Sequence, residues 1–375
     1  MKLVCSQSDL SQQLGLVGRA VSSKPTLPIL SHILLEADAA TGMVALTGFD
    51  MNLGIRTSFQ ADVTESGSLT LPARLLMDMV NRLPSGAPVS LEQPEDETTI
   101  TISCLTGQYQ VRGLPADDYP TLPEIVSDEK VPLAVQHWLE GISQTLFAAS
   151  SDESKQVLTG VHITLNQEHL EFAATDGHRL ALVQIPLAAP LDSPLDLTLP
   201  GRTLKELEKL LNSAKTNDLA LQFDPSQAQL LLPNQTLTSR LLDGQYPNYH
   251  LLLPSQFERT ITVDRKALIE SLERIAIFAE QKNNIVRFYL NSDLQSLDMA
   301  VDAPDVGTGR ESLVMQMSGD SLEIAFNVKY LLEALKVMAT QSVKIQLNGA
   351  NQPVIWQPVG GSLFRYLVMP VQIRN

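Results

Sequence analysis

Leu71-Pro72-Ala73-Arg74 returns later in the chain as Leu199-Pro200-Gly201-Arg202, and each quartet opens a helical run. The first run ends near Leu83 and the second near Leu211. A third opening, Phe326-Asn327-Val328-Lys329, leads a run to Ala339. The step from Pro200 to Asn327 matches that from Pro72 to Pro200, save for a single position. Other stretches keep the same step. Leu114-Pro115-Ala116-Asp117-Asp118-Tyr119-Pro120 is echoed by Leu241-Leu242-Asp243-Gly244-Gln245-Tyr246-Pro247. Ala45-Leu46-Thr47-Gly48 is echoed by Ala173-Ala174-Thr175-Asp176, and a third version reads Met299-Ala300-Val301-Asp302. Repetition at a fixed long spacing signals one structural plan used several times. Pro-rich joints at 115–123 and 247–254 then divide the chain into three domains, 1–125, 126–254 and 255–375.

Each copy itself divides into two halves of the order strand, helix, three strands. The helices are expected near 8–22, 73–83, 136–149, 201–212, 265–279 and 328–338. Leu268, Leu272, Ile275, Ala276 and Ala279 recur with helical period behind Asp264, a good N-cap. Leu204, Leu207, Leu210 and Leu211 do the same behind Pro200. Alternation in 219–223 and 343–347 reads as strand. In copy one the strands fall near 1–5, 31–37, 43–48, 53–62, 68–71, 88–92, 98–102 and 107–113. A helix with one apolar stripe must bury it on a sheet. The expected fold class is therefore α+β: three tandem similar domains, each of two βαβββ units, with helices on one inner face and sheets outside. Three such domains make an arc, which a symmetric homodimer closes into a ring.

Composition narrows the function. The chain has 375 residues, 44% of them hydrophobic and only 5% aromatic, so aliphatic side chains must build its cores. Its net charge of −15 argues against holding nucleic acid by phosphate neutralisation alone. The charge is uneven: the six helical segments sum to +3, leaving −18 elsewhere. A ring with its helices inside would attract DNA into the hole and repel it at the rim. The six histidines form no i, i+4 pair, and Cys5 and Cys104 are the only cysteines, so no metal site is expected. Glu95-Asp96-Glu97 and Asp302-Ala303-Pro304-Asp305 read as solvated turns. No Gly-rich phosphate loop is present and no cofactor is expected. No apolar run has membrane-spanning length, the N-terminus lacks a signal peptide's apolar block, and cysteine use suits a reducing cytoplasm.

Ala174-Thr175-Asp176-Gly177-His178-Arg179-Leu180-Ala181 carries the densest chemistry. Asp-Gly between two apolar runs signals a hairpin turn. The same residues admit an enzyme, with Asp176 orienting His178 as general base beside Arg179. No nucleophile, metal cluster or phosphate loop accompanies them. A three-domain interaction scaffold that ignores DNA is the other alternative.

Several stretches together resemble a known family. They are Lys24-Pro25-Thr26-Leu27-Pro28-Ile29-Leu30, Leu46-Thr47-Gly48-Phe49-Asp50, Leu71 to Arg74, Leu114 to Pro120, Ala174 to Ala181, Asp243 to Pro247, Phe326-Asn327-Val328, and Tyr366-Leu367-Val368-Met369-Pro370. In this order they resemble the bacterial sliding clamp family, the β subunit of DNA polymerase III. The resemblance implies a non-catalytic homodimeric ring around double-stranded DNA, a processivity factor bound without regard to sequence. Its implied partners are the polymerase III catalytic subunit, an ATP-driven clamp loader complex, and other polymerases and repair proteins. These would dock by short peptides with a Gln and a Leu/Phe end.

The implied peptide pocket comprises Leu158, Thr175, Gly177, His178, Arg179, Leu180, Pro247, Leu367, Met369, Pro370 and Val371. Leu, Pro and Val give it an apolar floor, and an adaptable Met suits several partners. For DNA, the resemblance places contacts on the inner helices and a few loops: Lys24 matches a basic position of the family, and Arg74, Arg202, Lys205, Lys209, Arg265 and Lys266 are inner-face candidates by helix position. The implied dimer joint sets Leu75, Met79, Tyr109 and Val111 against Ile277 and Phe278 of the second copy. The chain departs from the family at His250-Leu251-Leu252, where some members carry basic residues; its loop around Lys155-Gln156 is one that varies in the family, and its tail, Gln372-Ile373-Arg374-Asn375, is slightly longer than that of the shortest members.

Overall fold

The computed structural model describes all residues except 23, 96, 126–129, 167, 188–194, 214–215, 280–282, 304–306 and 373–375. Asp96, Pro304, Asp305 and the tail Ile373, Arg374 and Asn375, named above, lie outside the described residues, as do Lys215 and Glu280, which count toward the helical charge.

The helices are α1 Gln7–Val17, α2 Ala73–Val80, α3 Val135–Thr145, α4 Gly201–Ser213, α5 Arg265–Ala279 and α6 Val328–Val337. Copy one supplies β1 Lys2–Ser6, β2 His32–Asp38, β3 Met43–Phe49, β4 Leu53–Gln60, β5 Asp62–Glu65, β6 Gly67–Pro72, β7 Pro88–Glu92, β8 Thr99–Cys104 and β9 Gly107–Arg112. Copy two supplies β10 Val131–Ala134, β11 Gly160–Leu165, β12 His169–Thr175, β13 Arg179–Pro186, β14 Leu195–Pro200, β15 Asp218–Phe223, β16 Gln227–Leu232 and β17 Gln235–Arg240. Copy three supplies β18 Arg259–Asp264, β19 Ile285–Asn291, β20 Ser296–Ala303, β21 Gly307–Val314, β22 Gln316–Ser318, β23 Leu322–Asn327, β24 Ser342–Leu347, β25 Val354–Pro358 and β26 Leu363–Val368. The βαβββ order holds in all six half-copies, with β5 and β22 as additions.

Capping sets the helix starts. Ser6 accepts from Ser8 N, Asp264 from Ala267 N, and Asn327 from Lys329 N, each satisfying an amide that the first turn leaves unpaired. Three helices stop three or more residues short of the expected ends; α3 ends at Thr145, where the 3₁₀ turn Leu146–Ala148 takes over. α1 closes at Val17, where the Gly18 amide turns back to Leu14 and Leu16 and a 3₁₀ turn begins. After α2, Arg82 bonds to Met79 and Leu83 to Val80, the tighter i→i+3 pattern that relieves a helix end. Leu204, Leu207, Leu210 and Leu211 are all buried, as their period demands. β24 alternates buried Val343, Ile345 and Leu347 with half-buried Ser342, Lys344 and Gln346.

Contacts divide the chain into two compact units, each taking part of copy two. Unit one is Met1–Gln136 with Lys205–Leu241; unit two is His137–Leu204 with Leu242–Asn375. Unit one holds a five-stranded sheet, β5-β1-β7-β8-β9, and an eight-stranded sheet, β10-β15-β16-β17-β4-β3-β2-β6. Unit two holds a nine-stranded sheet, β14-β11-β12-β13-β26-β25-β24-β18-β22, and a four-stranded sheet, β21-β20-β19-β23.

The large sheets run straight through the joints between copies. β17 pairs antiparallel with β4, from Gln235↔Thr57 to Ser239↔Leu53. β26 pairs antiparallel with β13, from Arg179↔Val368 to Gln184↔Leu363. The strand expected at 53–62 breaks at Ala61. β4 stays in the eight-stranded sheet while β5 crosses to pair with β1. Met315 makes the corresponding break between β21 and β22.

Cys5 and Cys104 are free and buried. Burial, with Asp9 adding to it, pushes the Cys5 thiol up to about 12, so no reactive thiolate forms there.

Candidate functional site

The Asp176–His178 turn joins β12 to β13, with Thr175 opposite Leu180. Gly177 sits at φ +95°, a conformation that glycine adopts at no steric cost and L side chains resist. Asp176 Oδ1 accepts from the amides of His178 (2.9 Å) and Arg179 (3.2 Å), and its Oδ2 accepts from Arg179 Nε (2.9 Å). Thr175 Oγ1 donates to Arg179 O (2.5 Å) and accepts from the Gly177 amide (3.1 Å). Both oxygens of Asp176 are therefore committed to shaping the turn.

β26 lies directly beside this hairpin, with Leu180 opposite Leu367. Leu180 and Leu367 are buried in a cluster with Ala173, Leu182, Tyr246, Tyr249 and Ile355, against which Val157, Leu158, Leu253 and Phe257 pack. The chain leaves β26 along the turn: the Met369 amide donates to His178 O (2.9 Å) and the Val371 amide to Ala325 O (2.8 Å). Met369 remains 38% exposed, Pro247, Gly177 and His178 are exposed, and Pro370 and Val371 are half-buried. The residues expected to form one pocket thus meet in unit two, as an apolar floor with an exposed rim.

Arg179 differs from the other ten. It is 8% exposed. Its guanidinium pairs with Asp176 and Glu333, donates to Phe147 O (2.7 Å), and stacks 4.2 Å from the Tyr330 ring centroid. Glu333 and Tyr330 lie on α6, so Arg179 ties the turn to that helix and holds the site from beneath.

The sequence reading missed a second tie. Glu171 on β12 is buried, yet its carboxylate accepts from Tyr249 Oη (2.6 Å) and Gln184 Nε2 (2.7 Å) and lies 3.1 Å from His250 Nε2. Tyr246 Oη accepts from the Thr175 amide (3.0 Å). The connector carrying Pro247 is therefore fixed to β12 on both sides of Pro247. His250, a departure from the family, serves here as one of Glu171's partners. The only sequence signal was the pair of tyrosines at 246 and 249. Lys155, in the loop before β11, donates from Nζ to Asp176 O (3.0 Å).

His162 stacks on Tyr246 with ring centroids 4.7 Å apart and bonds to Thr198 Oγ1 (3.1 Å). Burial lowers its pKa, while Asp196 and Glu171 oppose the shift and His250 adds to it. A group with a depressed folded pKa favours folding while neutral, and that contribution is lost as pH falls below the ordinary value of 6.5 toward the folded one. His32, lowered by burial in unit one, acts in the same sense. Unfolding free energies measured from pH 7.5 to 5.5 should fall with acidification, and His162→Gln should flatten the slope. An unchanged slope in that variant would contradict the assignment.

The DNA-facing candidates are differently placed. Arg74 and Lys266 project from the first turns of α2 and α5, 96% and 84% exposed, with loose i, i+4 partners in Asp78 and Glu270. Lys24 and Lys205 are exposed, and Lys209 pairs with Glu206 (2.9 Å). Arg202 stands in the first turn of α4. Arg265 instead donates to Thr340 O (2.7 Å) and Leu335 O (3.1 Å), bracing the C-terminal end of α6. Of the dimer candidates, Leu75, Tyr109 and Ile277 are exposed and Met79 and Phe278 half-buried, but Val111 is 3% exposed and belongs to its own core. Among the described residues no group of three or more His, Cys, Asp or Glu could hold a metal ion. Among them, too, no helix is long and apolar enough to cross a membrane.

Three profiles of one family match the chain: the N-terminal domain of the DNA polymerase III beta subunit at residues 1–123, its central domain at 133–248 and its C-terminal domain at 250–372. The beta sliding clamp of Synechococcus elongatus is 48% identical, over the full length of both chains. That of Staphylococcus aureus is 31% identical over 94% of each chain. The solved DNA polymerase sliding clamp of Bacillus subtilis superposes with a TM-score of 0.94 at 30% identity, covering all of both chains. Three tandem domains of paired βαβββ modules are the clamp fold. The chain belongs to the DNA polymerase III β subunit family.

Proposed function

We propose that two copies of this chain close into a ring that encircles duplex DNA and tethers the replicative polymerase through the Leu180–Leu367 site. The observation that carries the ring is the pair of open sheet edges. β9 ends the five-stranded sheet and β21 ends the four-stranded one. Within the repeat, β21 stands where β4 and β13 stand, and β9 where β17 and β26 stand. β4 pairs with β17 and β13 with β26. The same rule joins β21 of one copy to β9 of another, with Tyr109 on β9 and Ile277 and Phe278 on α5 beside the seam. Unpaired strand edges favour such closure.

The same reading takes 1–125, 126–254 and 255–375 as the domains, and the exposed Lys24, Arg74, Lys205 and Lys266, with Arg202 and Lys209, as the residues that meet phosphates. Enclosure then retains the DNA with few strong contacts. A tethered polymerase rebinds its primer end at high effective concentration before it diffuses away. A loader opens the ring, and other polymerases and repair proteins use the same peptide site. The function is non-catalytic and cytoplasmic. Asp176 accepts from the His178 and Arg179 amides and from Arg179 Nε, and none of these bonds reaches the His178 ring, which speaks against an Asp-oriented base.

Loaded onto a nicked circular plasmid, the protein should stay bound through gel filtration and be lost once a restriction enzyme linearises the DNA. Equal retention on circle and line would overturn the topological reading.

A further inference from the structure

The connector Leu114–Pro120, the echo of Leu241–Pro247, roofs a cleft of its own. In unit one the residues after Pro115 cross the eight-stranded sheet and enclose about 640 Å³. This is the position in the repeat that the peptide site occupies in unit two, with a connector above and the joined strands below. The linings differ. Leu180 of the peptide site has Gly54 as its counterpart in copy one, each following an aspartate-capped turn and standing opposite the last residue of the preceding strand. Leu122 stands over that glycine so closely that a Cβ there would lie 2.4 Å from its Cδ2. The apolar part of the cleft is thus filled by the chain itself, and what stays open is polar.

Glu36, Asp117 and Glu124 line it against Arg56 alone, a surplus of two negative charges. Arg56 is already held by Glu36 (2.5 Å) and Thr47 Oγ1 (3.2 Å). Thr236 and Thr238 contribute the floor on the β17 side. Thr238 is only 3% exposed, and its Oγ1 has no hydrogen-bond partner among the described residues. A buried hydroxyl without a partner costs free energy that a bound polar group would recover.

We propose that this cleft is a second peptide site, which takes an extended segment carrying Lys or Arg among small polar residues. The acidic surplus selects the cation and repels nucleic acid phosphates. Peptide backbone groups supply the partner that Thr238 lacks. The proposal rests on the cleft's own lining and on the repeat, not on the assignment of the Leu180–Leu367 site.

The test uses the full chain and a fluorescein-labelled Ser-Thr-Lys-Thr-Lys-Thr-Ser peptide, followed by anisotropy. Saturable binding is expected, with none for the same peptide bearing Glu in place of Lys. Asp117→Asn with Glu124→Gln should weaken it about five- to tenfold, the effect of losing two partly exposed charge pairs. Thr238→Val, which keeps the side-chain shape, should weaken it about threefold. Both variants should bind a peptide ending in Leu-Phe as the parent does, which separates this site from the other. Absence of saturable binding, equal affinity for the Glu peptide, or insensitivity to both variants would overturn the proposal.

Discussion

Arg179→Ala is expected to lower the unfolding free energy of unit two by about 3 kcal/mol, toward the lower end of the range for breaking a buried ion pair. Asp176, 14% exposed, loses its partner inside the protein, while Glu333, 47% exposed, can regain water. The Phe147 carbonyl loses a donor and the Tyr330 ring loses the cation above it. Arg179→Lys should restore little, because one ammonium cannot reach a carboxylate on each side, a carbonyl and a ring face together. Since the Met369 amide bonds to His178 O in the same turn, peptide affinity should fall with stability, by about tenfold. Denaturant titration and peptide anisotropy measure the two effects. A variant with parental stability would show that the guanidinium contacts are dispensable.

Glu171→Ala should produce the second large effect, and a more selective one. It strands the buried Tyr249 Oη, at about 1–3 kcal/mol for a buried polar group left unsatisfied, and takes a partner from the half-buried Gln184 amide. Tyr249 holds the connector on the C-terminal side of Pro247, so its release frees one wall of the pocket. Peptide dissociation should accelerate about tenfold or more. Glu171→Gln retains an acceptor for Tyr249 and should lose far less affinity. Retention on circular DNA depends on ring closure and should be unchanged in both variants. If Ala and Gln weakened the peptide equally, the charge and not the Tyr249 bond would be holding the wall.

Much of the fold is legible because it is local and repeated. The helical periods of 204–211 and 268–279 and the alternation of 343–347 depend on residues a few positions apart. A constant step, as from Pro72 to Pro200, carries each reading from one copy to the next. The breaks at Ala61 and Met315 are illegible, because a strand that changes sheets keeps the same alternation on both sides of the break. The pairing of β4 with β17 is illegible for another reason: its partners stand nearly half the chain apart, and nothing in either strand names the other.

The site divides in the same way. Asp-Gly in an apolar frame announces the turn, and the resemblance supplies its neighbours. Nothing near Arg179 reveals Glu333 and Tyr330, which sit on a helix of the next copy. Glu171 reads as an ordinary outward position of a strand until the connector is seen to lie across it. Val111 and Arg265 show the reverse failure. The resemblance set Val111 at the dimer joint and helix position set Arg265 on the inner face, but burial claims the first and backbone acceptors the second.

The strand pairs at the joints also decide how the chain bears load. Pulling copy two away from copy three along the strands must shear the β13–β26 ladder, whose six residue pairs resist together. Pulling across the strands instead peels the ladder open one pair at a time. The connector from Leu242 to Leu253 runs alongside as a second link, itself bonded to β12 through Tyr246 and Tyr249. Such a joint behaves as a stiff splice under shear, so strain applied elsewhere in the chain is passed on through it instead of being absorbed by a hinge.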